Sequence, residues 1–143
     1  MSPSAQLVFA ALAMVLLTLA VALRMLAVRI TEMRVRRIHP QTTATSLQVA
    51  ARLQNVQAAD NFRNLFEVPV LFYALCATAL AANHVPGWLV LGAWLFVLLR
   101  VVHSVIHCTY NKVMHRFPVF LAGFVVVVAL WVGFFLTLPG RVA

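Results

Sequence analysis

Acidic residues are scarce in this chain. Of its 143 residues, 3 are Asp or Glu and 11 are Lys or Arg, and only 10% are charged. Soluble domains carry about 25% charged residues, so the composition excludes the surface of a soluble globular fold. The net charge of +8 would suit nucleic acid if the basic residues formed a stripe on a soluble fold. They lie instead beside long apolar runs, which is typical of membrane orientation, and no nucleic acid is expected as a partner.

Cysteines and signature motifs are equally few. Cys76 and Cys108 lie within or beside apolar segments, show no CxxC spacing and provide no disulfide framework. No GxGxxG, P-loop, HExxH or GxSxG motif is present, which removes the usual signatures of nucleotide, zinc-peptidase and serine-hydrolase sites. The N-terminus lacks the positive region of a cleaved signal peptide. An uncleaved first helix with its N-terminus outside is therefore expected.

Long apolar runs are what the sequence does have, since 64% of its residues are hydrophobic. A membrane helix needs about 20 predominantly apolar residues, and backbone groups in lipid must be satisfied within their own segment. We therefore predict an all-α integral membrane four-helix bundle, with residues 1–143 as a single domain. The predicted spans cover residues of about 5–28, 62–82, 88–110 and 118–138.

The three loops between the predicted spans differ in charge. Loop one (residues 29–61) and loop three (residues 111–117) are basic, whereas loop two (residues 83–87) has no Lys or Arg. By the positive-inside rule the basic loops face the cytoplasm and both termini lie on the other side, although Arg141 runs weakly against this orientation. A multi-pass integral membrane protein is therefore expected. The arginines after the first span, which are topology determinants or lipid-headgroup contacts, are Arg34, Arg36 and Arg37.

Finer predictions concern loop one and the prolines Pro69 and Pro118. Val49, Leu53 and Val56 repeat at helical spacing, which predicts a short amphipathic helix that lies on the membrane and runs into the second span. Pro69 is predicted to kink the second span. Pro118 fits the first turn of the last helix, where its missing N–H costs nothing.

Polar side chains within the predicted spans fall on stripes of the second and third helices. Such residues are costly in lipid and indicate a functional site, and spacings of three and four place each stripe on one helix face. Arg100 lies deepest, roughly 15 Å from the cytoplasmic exit. Because Glu67 is the only carboxylate at such a depth, we predict a Glu67–Arg100 ion pair within one subunit or between two. The stripes are Asp60, Asn64 and Glu67, then Arg100, His103, His107, Tyr110 and Asn111.

Plainer explanations stand beside the functional one. Asp60 and Arg63 fit interfacial charges whose side chains reach the headgroups, and a buried ion pair can simply fix helix register. His103 and His107 have the i, i+4 spacing of a metal site, for which Glu67 would be a third ligand, or they could bind haem. Membrane di-iron enzymes use many more histidines, so no metal is expected.

Two segments resemble a known family. The run ADNFRNLFEVPVLF, from Ala59 to Phe72, resembles the second-helix signature of the MAPEG superfamily, the membrane-associated proteins of eicosanoid and glutathione metabolism. That signature is an Asn, a Glu three residues later, a Pro shortly after and then apolar residues. The run RVVHSVIHCTYN, from Arg100 to Asn111, looks like the bacterial branch of the family, which implies a location in a bacterial inner membrane. The resemblance covers nearly the whole chain in length, helix count and topology.

The resemblance implies a homotrimer of four-helix bundles that binds glutathione, as co-substrate, between subunits in the cytoplasmic half. Family members conjugate glutathione to lipophilic electrophiles, reduce lipid hydroperoxides or isomerise eicosanoids, and one only binds and presents fatty acid. We therefore expect a glutathione-dependent transferase or peroxidase with lipids and lipophilic small molecules as further partners. A non-enzymatic lipid-binding or scaffold membrane protein of the same fold is the alternative.

The resemblance also implies roles for individual residues. Asn64 and Glu67 match the family's glutathione-binding Asn and Glu, and Arg116 lies near the arginine that stabilises the thiolate. Asp60 stands where the mammalian motif has an arginine, and two histidines of the third helix stand where eicosanoid-metabolising members carry tyrosines. The expected site residues are Arg116 as catalytic residue, and Asn64, Glu67, Arg63, Arg100, His103 and His107 as glutathione-binding residues.

Overall fold

The regular structure of the chain is entirely helical. The computed structural model describes residues 1–138, none of which forms a strand; Arg141 lies outside the described residues. A 3-10 turn covers Pro40–Thr43. The α-helices are α1 (Pro3–Val35), α2 (Ser46–Arg52), α3 (Gln57–Asn64), α4 (Val68–Ala81), α5 (Gly87–Cys108) and α6 (Val113–Thr137).

Four helical stretches are long and apolar enough to cross a membrane, which confirms the predicted number. The first is longer than predicted and continues to Val35. It begins with Pro3 behind a Ser2 cap, whose Oγ accepts a hydrogen bond from the Ala5 N–H at 3.2 Å. Its 33 residues span roughly 50 Å against a hydrocarbon core of about 30 Å, so one end projects beyond the core. The four stretches are Pro3–Val35, Gln57–Ala81, Gly87–Cys108 and Val113–Thr137.

The single amphipathic helix predicted in loop one is wrong, because the segment is divided between α2 and α3. Leu53 is extended, with φ −101° and ψ 138°, and Val56 is the residue that precedes α3. The cause is a tertiary contact. The backbone N–H groups of Gln54 and Asn55 donate to the carboxylate of Glu32 on α1, at 2.7 and 3.0 Å, so they are not available to helical carbonyls.

The second span is interrupted where Pro69 predicts a kink, which confirms that prediction. The α3 helix ends at Asn64, and α4 begins at Val68 with Pro69 in its first turn. Proline has no N–H to offer the carbonyl of Leu65, and Glu67 leaves helical geometry with ψ −94°. The break therefore places Asn64 and Glu67 on either side of a bend.

The prediction that Pro118 lies in the first turn of the last helix is wrong. That helix begins five residues earlier, at Val113, so Pro118 removes the N–H that would donate to the carbonyl of Met114. The early start follows from a tight turn. Asn111 has φ 48°, and its N–H donates to the Ile106 carbonyl at 2.8 Å, a left-handed cap that ends α5 and reverses the chain.

The α5 helix lies at the centre of the bundle, where it packs against α1, α3 and α6. Phe96 of α5 stacks on Phe72 of α4 with 4.7 Å between the ring centroids. Helices α1 and α6 are mostly exposed along their apolar sides. The polar residues of the third span are therefore enclosed by protein, and the outer helices present apolar surface.

Candidate functional site

Arg100 is the centre of a polar network inside the bundle. It is completely buried (0% exposed). Its Nη1 donates to Asn64 Oδ1 at 3.2 Å and its Nη2 to the Phe120 carbonyl at 3.3 Å. The guanidinium carbon lies 5.4 and 5.0 Å from the ring centroids of Phe96 and Phe120, which is cation–π distance. The cation on α5 is therefore held by α3 through Asn64 and by α6 through Phe120.

Asn64 connects this buried cation to an exposed carboxylate. Its Nδ2 donates to Glu67 Oε2 at 3.0 Å, and Glu67 itself is exposed. A direct Glu67–Arg100 ion pair, as predicted within one subunit, is not formed among residues 1–138. The bend after α3 moves Glu67 out of helical register, and the Asn64 amide fills the space between the two charges. A pair between subunits stays a prediction.

His103 and His107 extend the network along α5. They are 3% and 6% exposed, their ring centroids are 5.4 Å apart, and His103 Nδ1 lies 3.3 Å from the Arg116 carbonyl. Within the described chain, Nε2 of His103, Nδ1 of His107 and Nε of Arg100 are buried without a hydrogen-bond partner. Buried polar atoms of this kind call for a water or ligand partner.

Within residues 1–138, no third side chain completes a zinc site with His103 and His107. No group of three or more His, Cys, Asp and Glu side chains in residues 1–138 lies close enough to hold a metal ion. Glu67 contacts Asn64 and is not grouped with the two histidines. Among the described residues, Glu67 therefore does not join His103 and His107 in the three-ligand site that was the alternative.

Arg116 is joined to the network from α6. It is half-buried, its Nη1 donates to Asn111 Oδ1 at 2.6 Å, and its carbonyl meets His103. The left-handed turn at Asn111 orients that amide toward α6. Arg116 is thus a fixed cation beside the histidines, and its other guanidinium nitrogens make no hydrogen bond within the described part of the chain.

Arg63 is not brought into this network. It is exposed on α3, and its Nη1 lies 3.8 Å from Asp60 Oδ1, a pair in which both side chains are about half exposed. The predicted stripe on the second helix is therefore split: Asn64 and Glu67 contact each other, whereas Asp60 pairs with Arg63. Exposure of both partners agrees with the interfacial explanation of these charges.

A second buried polar group joins α3 to α5, and sequence reasoning missed it. Asn61 is 0% exposed; its Oδ1 accepts from Ser104 Oγ at 3.4 Å, and its Nδ2 donates to Cys108 Sγ at 3.3 Å. The spacing could have indicated it, since Asn61 precedes Asn64 by three residues and Ser104 follows Arg100 by four. These contacts fix α3 against the central helix.

Glu32 is the other residue that sequence reasoning missed. It is 7% exposed. Its carboxylate accepts four hydrogen bonds, from the backbone N–H groups of Gln54 and Asn55, from Asn55 Nδ2 and from Arg36 Nη1. Arg36 Nη1 also donates to the Arg52 carbonyl at 2.9 Å. The sequence does offer a signal for Glu32, since it is a single carboxylate within a basic segment. The role of Glu32 is to fix the chain just before α3.

Gly123 on α6 gives the Arg100 guanidinium its space. A Cβ there would lie 3.0 Å from Nη2 and 3.3 Å from Nε of Arg100. We expect Gly123→Val to lower the free energy of unfolding in detergent by about 1–3 kcal/mol, the usual cost of overpacking. Gly87→Val is the control, because a Cβ at Gly87 meets nothing within 4 Å. Equal thermal stabilities of the two variants would contradict the close packing at Gly123.

Comparison with known proteins gives one match. The family model described as "MAPEG family" matches residues 7–136, nearly the whole chain. No curated protein and no solved structure matches the chain significantly.

Proposed function

The chain belongs to the MAPEG family, and we propose that it is a membrane glutathione-dependent transferase or peroxidase acting on lipophilic electrophiles or hydroperoxides. It is a multi-pass integral membrane protein with four apolar spans. The observation that supports the proposal best is the unbroken contact series from buried Arg100 through Asn64 to exposed Glu67. These contacts link a buried cation to an exposed carboxylate and fix the orientation of that carboxylate at a surface that a polar ligand can reach.

Arg100 sets the direction of the Asn64 amide. Because the guanidinium only donates, it takes the Asn64 oxygen, and the amide nitrogen must then face Glu67. The Glu67 carboxylate is thereby held at the surface, where it suits the ammonium group of glutathione. In this arrangement buried Arg100 does not touch glutathione and instead orients the residues that do. Arg63, exposed one residue before Asn64, is available for a glutathione carboxylate.

Arg116 is the cation proposed to act on sulfur. A free thiol has a pKa near 8.5, so little of it is thiolate at neutral pH, and an adjacent guanidinium favours the anion. The thiolate would then form a bond to the electrophilic carbon and displace its leaving group, for example a halide, as the anion. With a hydroperoxide it would instead bond to the terminal oxygen and break the O–O bond, which gives a sulfenic acid and, after protonation, the alcohol. In the second case another glutathione completes the reaction as disulfide and water. His103 and His107 form the buried wall beside Arg116.

We place the glutathione site between subunits of a homotrimer. Glu67 is exposed and Asn64 is half-buried beside it, so a second copy would cover them, and oligomers of this kind are usually closed rings. The site would lie in the cytoplasmic half, with both termini on the opposite side of a bacterial inner membrane, as the basic loops favour. Lipophilic substrates would arrive through the bilayer along the exposed apolar helices.

Glutathione binding tests the proposal. In calorimetric titrations of the purified protein in detergent, we expect wild type to bind glutathione and Glu67→Gln to bind about tenfold or more weakly, since a hydrogen bond to a charged group contributes about 1.5–3 kcal/mol. Asp60→Asn is the matched control, because it makes the same change at an exposed carboxylate that pairs only with Arg63. It should not weaken glutathione binding, since it leaves Glu67 intact and frees Arg63 for a glutathione carboxylate. Absence of binding by wild type, or equal losses in both variants, would refute the assignment.

A non-enzymatic lipid-binding or scaffold role is the second candidate. The observation that favours it is the complete burial of Arg100 between two aromatic rings, since such a group can serve helix packing alone. This role predicts a stable protein that neither binds glutathione nor conjugates it to an aromatic electrophile. The titration above and one activity assay separate the two candidates.

A further inference from the structure

A hollow lies between α1 and the segment that leads into α3, apart from the glutathione network. Its volume is about 470 Å³, and its walls include Arg24, Thr31, Arg36 and Asn55. A smaller hollow of about 120 Å³ shares Arg24 and Asn55 with it. The larger volume falls in the range of about 300–1,000 Å³ that small-molecule sites occupy. Neither lining includes Arg100, Asn64 or Glu67.

The hollow has positive charge without a matching anion. Arg24 is exposed and makes no hydrogen bond or ion pair within residues 1–138. Arg36 bonds only through Nη1, to Glu32 and to the Arg52 carbonyl. The one carboxylate on the wall, Glu32, already accepts bonds on both oxygens. A guanidinium fork with free donors beside polar amides suits the oxygens of a phosphate group.

The height of Arg24 along α1 identifies where that phosphate comes from. Arg24 follows Pro3 by about 21 residues, or roughly 32 Å of helix, which is close to the thickness of about 30 Å of the hydrocarbon core. With Pro3 at one membrane surface, Arg24 would lie at the level of the lipid headgroups of the other surface. On the membrane side of Arg24, α1 exposes Leu16, Leu19 and Leu23, apolar surface along which an acyl chain can lie.

We propose that this hollow binds the headgroup of an anionic phospholipid, with Arg24 and Arg36 on the phosphate and the amides of Gln54 and Asn55 beside the polar remainder. Zwitterionic headgroups carry a cation that the arginines disfavour, so the site selects net negative lipids. The lipid would join the projecting part of α1 to the bilayer surface. The proposal does not depend on glutathione chemistry, because neither hollow is lined by Arg100, Asn64 or Glu67.

The test uses the full chain purified in a non-ionic detergent and titrated with dihexanoyl phosphatidylglycerol. We expect saturable binding that weakens about tenfold in Arg24→Gln, as for the loss of one charge-assisted contact. Lys112→Gln is the control: it removes one positive charge from an exposed side chain that lines neither hollow, and its affinity should stay within about twofold. Because Arg24 is exposed and makes no hydrogen bond or ion pair within residues 1–138, its variant should keep wild-type thermal stability without lipid.

Two further ligands distinguish the sources of the anion. Dihexanoyl phosphatidylcholine should bind about tenfold more weakly than phosphatidylglycerol, and inorganic phosphate should not displace the lipid at equal concentration. Raising the salt concentration should weaken binding to wild type, which tests the charge contribution without any variant. Equal losses in Arg24→Gln and Lys112→Gln, equal affinity for both lipids, or displacement by inorganic phosphate would each overturn the proposal.

Discussion

Arg116→Ala is expected to lower kcat for conjugation of glutathione to an aromatic electrophile by about 100- to 1,000-fold, while glutathione affinity falls far less. The reason is that a fixed cation beside sulfur stabilises the thiolate and the transition state that follows, and one preorganised electrostatic group is worth this much in other active sites. Arg116 is preorganised by its 2.6 Å bond to Asn111. Initial rates at saturating glutathione, together with calorimetry, measure the two effects separately.

Controls for this prediction come from the same turn. Lys112→Ala removes an exposed cation four residues earlier and should change kcat by less than about twofold. Arg116→Lys keeps the charge but loses the planar fork, so its activity should lie between wild type and Arg116→Ala. A parallel loss of kcat in Lys112→Ala, or unchanged kcat in Arg116→Ala, would remove Arg116 from the catalytic role.

Glu32→Ala is expected to lower the free energy of unfolding by about 2–3 kcal/mol, because the carboxylate accepts four hydrogen bonds and its removal leaves their donors unpaired. Its ion-pair partner Arg36 has a side chain that is 41% exposed, so the charge pair itself contributes little. The substitution leaves Arg36 and the N–H groups of Gln54 and Asn55 without their acceptor. Because these contacts hold the chain just before α3, we also expect faster proteolysis at residues 53–56. Thermal unfolding in detergent and limited proteolysis measure the two consequences.

Asp60→Ala is the control for that prediction. Its carboxylate is exposed and pairs with Arg63 at 3.8 Å, so its loss should cost less than about 1 kcal/mol. The stability of Glu32→Gln should lie between those of Glu32→Ala and Asp60→Ala, since its amide oxygen still accepts hydrogen bonds but the charge is gone. If Glu32→Ala unfolds at the same temperature as Asp60→Ala, the carboxylate is not what fixes this segment.

The sequence predicts most of the membrane architecture because hydropathy and helical spacing are local properties. All four spans and the bend at Pro69 follow from them. The burial of Arg100, His103 and His107 on one face of α5 follows from their spacing of three and four residues. Physical cost alone directs these side chains away from lipid, so no tertiary information is needed to place them inside.

One error involves a contact between distant parts of the chain, and the other two follow from local backbone geometry that apolar spacing does not reveal. The helix predicted across loop one is broken by Glu32, a residue more than twenty positions earlier. The Glu67–Arg100 pair fails within one chain because the bend after Asn64 changes the register that the spacing assumes. The early start of α6 depends on the left-handed turn at Asn111. Periodicity cannot indicate such a partner or such local geometry.

A structure of the purified protein with bound glutathione tests the central claim most directly, namely that the side chains anchored on Arg100 form the ligand surface. We predict glutathione at a subunit boundary, with its ammonium within hydrogen-bonding distance of Glu67 and the Asn64 amide alongside. Glutathione bound elsewhere, or an assembly in which Asn64 and Glu67 face lipid, would contradict the account.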